Sequence, residues 1–386
     1  MSSFRTVLAT GLVMMIATSF SGLAVAQDSA MHAMLAAAPK VNTSVAGVHA
    51  FAAPEKGFNA RTASNSQLLA HGLPPRPNKA TDPVAFRLWE RGMSALKTRA
   101  VDVKATPYYS TNMRSITTAS SVAPSGSVSA VPTQYSSSNW SGIANTKAFS
   151  KWSATGSYDE VVSIWNVPVS NHPFGSLPCS EGPWFEVTWN GIDGFKNGDV
   201  VQGGSADYWD DGGCGGPVQY YGWVEWYPSY PILAIYCGSS LCPVGPGDDF
   251  YVVTYGAKGT AEQFVFVEDV TQQWSGTFGM TYVTGPGVVG NSAEYIVERP
   301  CCVGSNPYPL ANYVYEFFNY SFAYSVNGTL SFPGSTSPAT AIITMYDDSG
   351  SQAISYPFMY GTSGNQGRYS IFMSDENCAY SGGCTP

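Results

Sequence analysis

Phe250-Tyr251-Val252-Val253-Thr254-Tyr255 and Gln263-Phe264-Val265-Phe266-Val267 are two short runs of β-branched and aromatic residues with Gly256 and Gly259 between them. Runs of this kind, bounded by turn formers, read as strands. The same texture recurs at Val161–Val167, Trp184–Trp189, Trp223–Tyr227, Ala293–Glu298 and Ala341–Tyr346, with Gly, Pro, Asn and Asp in the gaps. No long helical period appears among them. Residues 135–386 are therefore expected to form one all-β domain. Roughly 250 residues of such strands fit a single antiparallel sandwich better than two small domains.

Upstream of Tyr135 the composition changes. Residues 1–26 carry Arg5, an apolar stretch from Val7 to Ile16, and small residues ending in Ala24-Val25-Ala26, the pattern of a cleavable signal peptide. No later apolar run is long enough to span a membrane, so a secreted, extracellular protein is expected, with no membrane attachment once the signal is removed. Residues 27–134 are rich in Ala, Ser and Pro, and read as a prosegment with one credible helix. Asp82 can cap it, Pro83 suits its first turn, and Phe86, Trp89, Met93 and Leu96 recur at helical spacing. Ser115 to Ser138 reads as a linker open to cleavage.

Charge divides at the same boundary. Residues 1–134 hold 12 Lys+Arg and 5 Asp+Glu, a net +7; residues 135–386 hold 6 and 22, a net −16. A basic segment ahead of an acidic domain suggests electrostatic docking within one chain, expected to be a monomer. The acidic domain would repel phosphate, which argues against nucleic acid as a partner. All eight cysteines lie after residue 134, and an even count in an exported chain reads as disulfides. Cys237 with Cys242 and Cys378 with Cys384 are close enough to staple local loops.

Several chemistries are excluded. His172 is the single histidine of the acidic domain, and no G-x-S-x-G elbow accompanies it, which removes a serine or cysteine triad. H-E-x-x-H and C-x-x-C pairs are absent, so neither a metal site nor any other cofactor is expected. Asp348-Ser349-Gly350 resembles half of a pepsin-type site, but no second copy exists, and a hairpin turn explains it.

Five segments concentrate polar groups among aromatics: Ser138-Asn139-Trp140-Ser141-Gly142, Trp189-Asn190-Gly191-Ile192-Asp193-Gly194, Val200-Val201-Gln202-Gly203-Gly204, Trp223-Val224-Glu225-Trp226-Tyr227-Pro228 and Asn291-Ser292-Ala293-Glu294-Tyr295-Ile296-Val297-Glu298. Strand alternation puts Trp223, Glu225 and Tyr227 on one face, and Glu294 on one face with Ile296 and Glu298. In this order the segments resemble the glutamic peptidases, the eqolisins. Gly72-Leu73-Pro74-Pro75-Arg76-Pro77 also looks like part of such a precursor. The resemblance implies a concanavalin/lectin-like sandwich of two sheets of about seven strands each.

The resemblance further implies an acid endopeptidase acting on proteins or peptides, insensitive to pepstatin, with its own prosegment as intramolecular inhibitor. Its catalytic glutamine falls on Gln202 and its glutamate on Glu294. Trp140, Trp189, Asp193, Glu225 and Tyr227 match cleft residues, and Asp207 matches an acidic neighbour. Tyr221 stands where the family usually has an acid. The chemistry is coherent: one carboxylate can serve as base and then acid, while a neutral amide holds water and stabilises the oxyanion at any pH. For Glu294 to stay ionised in acid, neighbouring donors must lower its pKa. A carbohydrate-binding sandwich, or a glycoside hydrolase using Glu225 and Glu294, is the competing reading; both leave Gln202 without a role.

Overall fold

The computed structural model describes residues 31–116, 133–146, 157–170, 183–209, 217–303, 306–333, 340–358 and 369–372. The residues expected to form a signal peptide, most of those expected to form a linker, His172, Cys378 and Cys384 lie outside them. Two large sheets form a β-sandwich. In the first, neighbouring strands run in the order Leu233–Cys237, Val218–Tyr227, Val200–Trp209, Trp184–Ile192, Ser292–Glu298, Trp140–Thr146 and Thr340–Tyr346, all antiparallel. Thr133–Ser137 joins the far side in parallel. The second runs Val48–Phe51, Trp274–Thr281, Glu262–Asp269, Asp249–Tyr255, Tyr158–Asn166, Tyr315–Ser325 and Tyr369–Phe372, again antiparallel.

Alternation along each strand decides what lies between the sheets. Val201, Val224, Trp226, Tyr295 and Val297 point inward from the first sheet and meet Trp165, Phe250, Val252, Val265 and Phe318 of the second. The odd–even partners of the first set face outward: Trp140, Val187, Trp189, Trp223 and Ile296 line the outer face of the first sheet. That outward surface is aromatic and carries the candidate site.

The N-terminal segment is built into both layers. The hairpin of Lys40–Asn42 and Val48–Phe51 extends the second sheet through Met280 opposite Val48, and Asp102–Ala105 extends the first through Ile235 opposite Val103. Each covers an edge whose backbone groups would otherwise be unpaired. The expected helix forms over Pro83–Ala95, with Asp82 Oδ1 accepting from the Ala85 N–H at 3.0 Å and proline in the first turn. Its Trp89 and Met93 bury against Tyr251, Phe264 and Phe266 on the outer face of the second sheet. Burying two side chains of this size contributes roughly 1.5–3 kcal/mol each.

Opposite charges meet across this contact. Lys40 pairs with Glu262 at 2.8 Å, Arg91 with Asp249, and Arg99 lies beside Glu268. Arg99 also donates to Ser275 Oγ at 3.2 Å and Thr277 Oγ1 at 2.9 Å. Cys237 and Cys242 form a disulfide with Cα atoms 4.7 Å apart, and Cys301 pairs with Cys302. Asp347 to Gly350 form the turn between Thr340–Tyr346 and Ala353–Phe358, with the Gly350 N–H donating to the Asp347 carbonyl at 2.9 Å.

Candidate active site

Gln202 lies opposite Glu225 on one neighbouring strand and Gly191 on the other. Residues directly opposite in antiparallel pairs share a face, so both side chains project from the outer face. Gly191 leaves space beside Gln202 on the side away from Glu225: a Cβ there would lie 3.1 Å from Gln202 Cβ. Gln202 Nε2 donates to Glu225 Oε2 at 2.9 Å. Gln202, Glu225 and Glu298 are fully buried, because residues 106–116 of the N-terminal segment thread across this face.

The Ser110–Thr111 peptide bond sits at the centre. Its carbonyl oxygen accepts from Gln202 Nε2 at 3.4 Å, and its N–H donates to Glu298 Oε1 at 2.9 Å. The Ser110 hydroxyl bridges the two side chains, donating to Glu298 Oε2 and lying 3.2 Å from Gln202 Oε1. The Ser110 N–H donates to Glu225 Oε2 at 3.1 Å. Trp189 Nε1 donates to Glu298 Oε2 at 3.0 Å and Asn139 Nδ2 to Glu298 Oε1 at 3.2 Å. Trp140 packs edge-on against Trp189 at 4.9 Å and its indole N–H holds the Thr111 carbonyl at 2.9 Å.

Of the residues singled out from sequence, Gln202, Glu225, Trp140 and Trp189 are thus brought together. Tyr227 lies at the rim, half-buried, with its ring 6.4 Å from that of Tyr109. Trp226 points inward and donates to Asp199 Oδ1 at 2.7 Å. Asp193 is buried just beyond the Trp184–Ile192 strand, where its carboxylate accepts from the Val289, Gly290 and Asn291 N–H groups at 2.6, 3.0 and 2.9 Å. It pins the 289–291 stretch rather than facing Gln202. Asp207 is five residues from Gln202, an odd offset, so it projects from the opposite face and lies beside Glu186 between the sheets.

Glu294 does share the outer face, in line with Gly191 and, beyond it, Gln202. Its carboxyl is buried near Ser292, Asp193 and Phe195 and makes no hydrogen bond to Gln202. Glu298, four residues on, reaches the Gln202 group instead. Ser110, Thr111, Asn139 and Glu298 were not among the residues assigned to the site from sequence. Ser110 carried no signal, whereas Asn139 sits inside a flagged segment, beside Trp140.

Burial dominates the electrostatics. It pushes Glu298 up to about 8, against the hydrogen bonds from Ser110, Thr111, Trp189 and Asn139, which favour the charged form. Glu225 is raised well above the ordinary range by burial and then by the neighbouring Glu298 charge. Glu294 is raised by burial, opposed by Ser292 and reinforced by Asp193. The arrangement offers an amide donor at a peptide carbonyl, a carboxyl group at the adjoining amide nitrogen, and a small polar position between them.

Residues 138–357 match the Peptidase A4 family. Among solved structures, the chain is similar to scytalido-glutamic peptidase bound to a transition state analog inhibitor, at 20% identity over 61% of this chain and 98% of that chain, TM-score 0.46. It is also similar to SCP-B, a member of the eqolisin family of peptidases in complex with a tripeptide, at 18% identity over 61% and 98%, TM-score 0.44. A third is aspergilloglutamic peptidase from Aspergillus niger, at 21% identity over 50% and 99%, TM-score 0.38. No curated protein matches the sequence.

Proposed function

As the chain belongs to the Peptidase A4 family and is a peptidase of the glutamic type, we propose that it is a secreted, pepstatin-insensitive acid endopeptidase whose working pair is Gln202 and Glu298. The observation that carries this reading is the seating of the Ser110–Thr111 peptide bond, carbonyl on Gln202 and N–H on Glu298. A substrate bond in that seat needs one addition, a water molecule in place of the Ser110 hydroxyl. Glu298 takes a proton from that water as its oxygen attacks the carbonyl carbon. Gln202 Nε2 donates to the oxyanion, and Glu298 returns the proton to the departing amine as the C–N bond breaks. Glu225 holds Gln202 through its amide.

The N-terminal segment acts in this reading as a prosegment and inhibitor within a single chain. It brings a peptide bond to the pair but fills the water position with its own hydroxyl. Its departure would admit water to Glu298, remove the burial that raises its pKa, and leave the Trp189 and Asn139 donors in place. Glu298 would then ionise in acid, as a base working there must.

The test compares Glu298→Gln, Gln202→Ala and Glu294→Gln with the wild type on an acid-denatured protein at about pH 3–4. Losing the base or the oxyanion donor should each lower kcat about 10²–10⁴-fold, while Glu294→Gln retains activity. Wild-type-like turnover by Glu298→Gln, with loss in Glu294→Gln, would refute the pairing. The sugar readings leave Gln202 idle, and nothing at the site favours them.

A further inference from the structure

The bound segment also outlines a substrate subsite; the inference rests on the peptidase reading above. Tyr108 lies two residues before Ser110. Its ring meets Phe185 edge-on at 5.0 Å, Tyr308 edge-on at 5.4 Å, and Tyr208 in a tilted contact at 5.4 Å. Phe185 in turn lies 6.4 Å from Tyr221, buried at the position where the family resemblance led to the expectation of an acid. The wall behind the ring is therefore aromatic where a carboxylate would have made it charged. Edge-to-face contacts of this kind add to the burial of the ring itself.

The backbone around Tyr108 is held without regard to side chain. The Ile232 N–H donates to the Tyr108 carbonyl at 2.9 Å, and Tyr109 exchanges N–H to carbonyl bonds with Cys301 at 3.1 and 2.6 Å. In such strand-like binding the backbone supplies affinity and the pockets supply selectivity. The next position is not selective in the same way, since Tyr109 is 39% exposed. Ser110 and Thr111 are buried at the reacting bond. Among residues 108–111, Tyr108 alone enters a formed aromatic pocket.

We propose that Phe185, Tyr208, Tyr221 and Tyr308 form a subsite for an aromatic side chain, two residues N-terminal to the residue whose carbonyl is attacked. The substrates of this peptidase are then peptides and unfolded proteins carrying Tyr, Phe or Trp at that position. Tyr308 is a specificity residue in this scheme, since its ring closes one side of the pocket.

Acid-treated full-length protein would be assayed on peptides of the sequence of residues 106–114 in which Ala replaces Ser110, so that the water position is open, with Tyr, Phe, Lys or Ala at the Tyr108 position. The aromatic peptides should be cut at the Ala–Thr bond with kcat/KM about tenfold or more above the peptide with Ala at the Tyr108 position. Tyr308→Ala should shrink that ratio severalfold. Equal rates for all four peptides, or fastest cleavage of the Lys peptide, would overturn the subsite while leaving the peptidase reading intact. An arm independent of catalysis uses amide hydrogen exchange in the unprocessed chain at neutral pH. Tyr108→Ala should speed exchange across residues 106–113 about tenfold, and Tyr109→Ala should have a much smaller effect. Unchanged protection in Tyr108→Ala would overturn the subsite even if no peptide were cut.

Discussion

Raising the pH should unfold this protein, and the cause is its buried carboxyl groups. Twelve Asp and Glu side chains are buried among the described residues, and only one arginine, Arg299, is buried as deeply. Burial pushes Glu268, Asp269 and Glu298 up to about 8 and Asp199 up to about 7. A carboxyl group raised in the folded state keeps its proton where the unfolded chain has released it. Its contribution is complete below the ordinary value near 4.5 and is lost as pH climbs through the folded one. At about 1.4 kcal/mol per pH unit, a Glu268 that titrates at about 8 rather than 4.5 removes on the order of 5 kcal/mol by pH 8. Whole domains have only about 5–15 kcal/mol to lose.

Thermal unfolding followed by circular dichroism from pH 3 to 8 should therefore give a Tm highest near pH 3–5. The loss from one such group corresponds to roughly 10–20 °C by pH 8 for a domain of this size. Glu316, buried between the sheets beside Asp207, is raised by burial and then reduced in that rise by the Phe317 backbone. Glu316→Gln should flatten the slope of Tm against pH with little change at pH 4. A Tm that is level or rises between pH 4.5 and 8 would refute the reasoning.

Ser110→Ala in the full chain should speed acid-induced cleavage of the Ser110–Thr111 bond by about tenfold or more, because a water site opens where the hydroxyl stood. Mass spectrometry of the timed products checks it, and an unchanged rate would mean that the hydroxyl does not stand in for water. Glu225→Gln, which disturbs the bond from Gln202 Nε2, should lower kcat about 10- to 100-fold with little effect on KM. Asp193→Ala strips the 289–291 N–H groups of their acceptor and should cost about 3 kcal/mol in urea unfolding at pH 4.

Much of this architecture is legible in local chemistry. Asp82 and Pro83 start the helix of Pro83–Ala95 as the sequence predicts, and the β-branched runs fall within observed strands apart from Val167, one residue past the end of Tyr158–Asn166. The short helix Asn65–Ala70 was readable too, through the capping box of Ser64 and Gln67, but its six residues show no period. Val200–Trp209 is harder, since Gly203-Gly204 looks like a loop. Those glycines sit mid-strand for lack of space: a Cβ on Gly203 would lie 2.5 Å from Val265 Cγ1, and one on Gly204 would collide with the Thr188 carbonyl. Ser110 was not legible at all. Which part of an N-terminal segment crosses a cleft is set by how the whole segment wraps, through pairings as remote as Lys104 with Ala234.

Choosing between Glu294 and Glu298 shows where periodicity stops being informative. Both lie on the same face by alternation, so the pattern cannot separate them. What separates them is the company each keeps. Glu298 receives Trp189 and Asn139 from two other segments, and in the closed chain Ser110 and Thr111 as well. Four donors converging on Glu298 oppose the rise that burial causes and favour its charged form, whereas Glu294 is raised by burial with fewer donors against it and with the Asp193 charge adding to the rise. A base that works in acid must have its charge held by the fold. The Asn139-Trp140 and Trp189 segments, flagged for their aromatics, supply two of the donors that do so. Their indole and amide N–H groups are therefore the better guide to the carboxylate proposed to react.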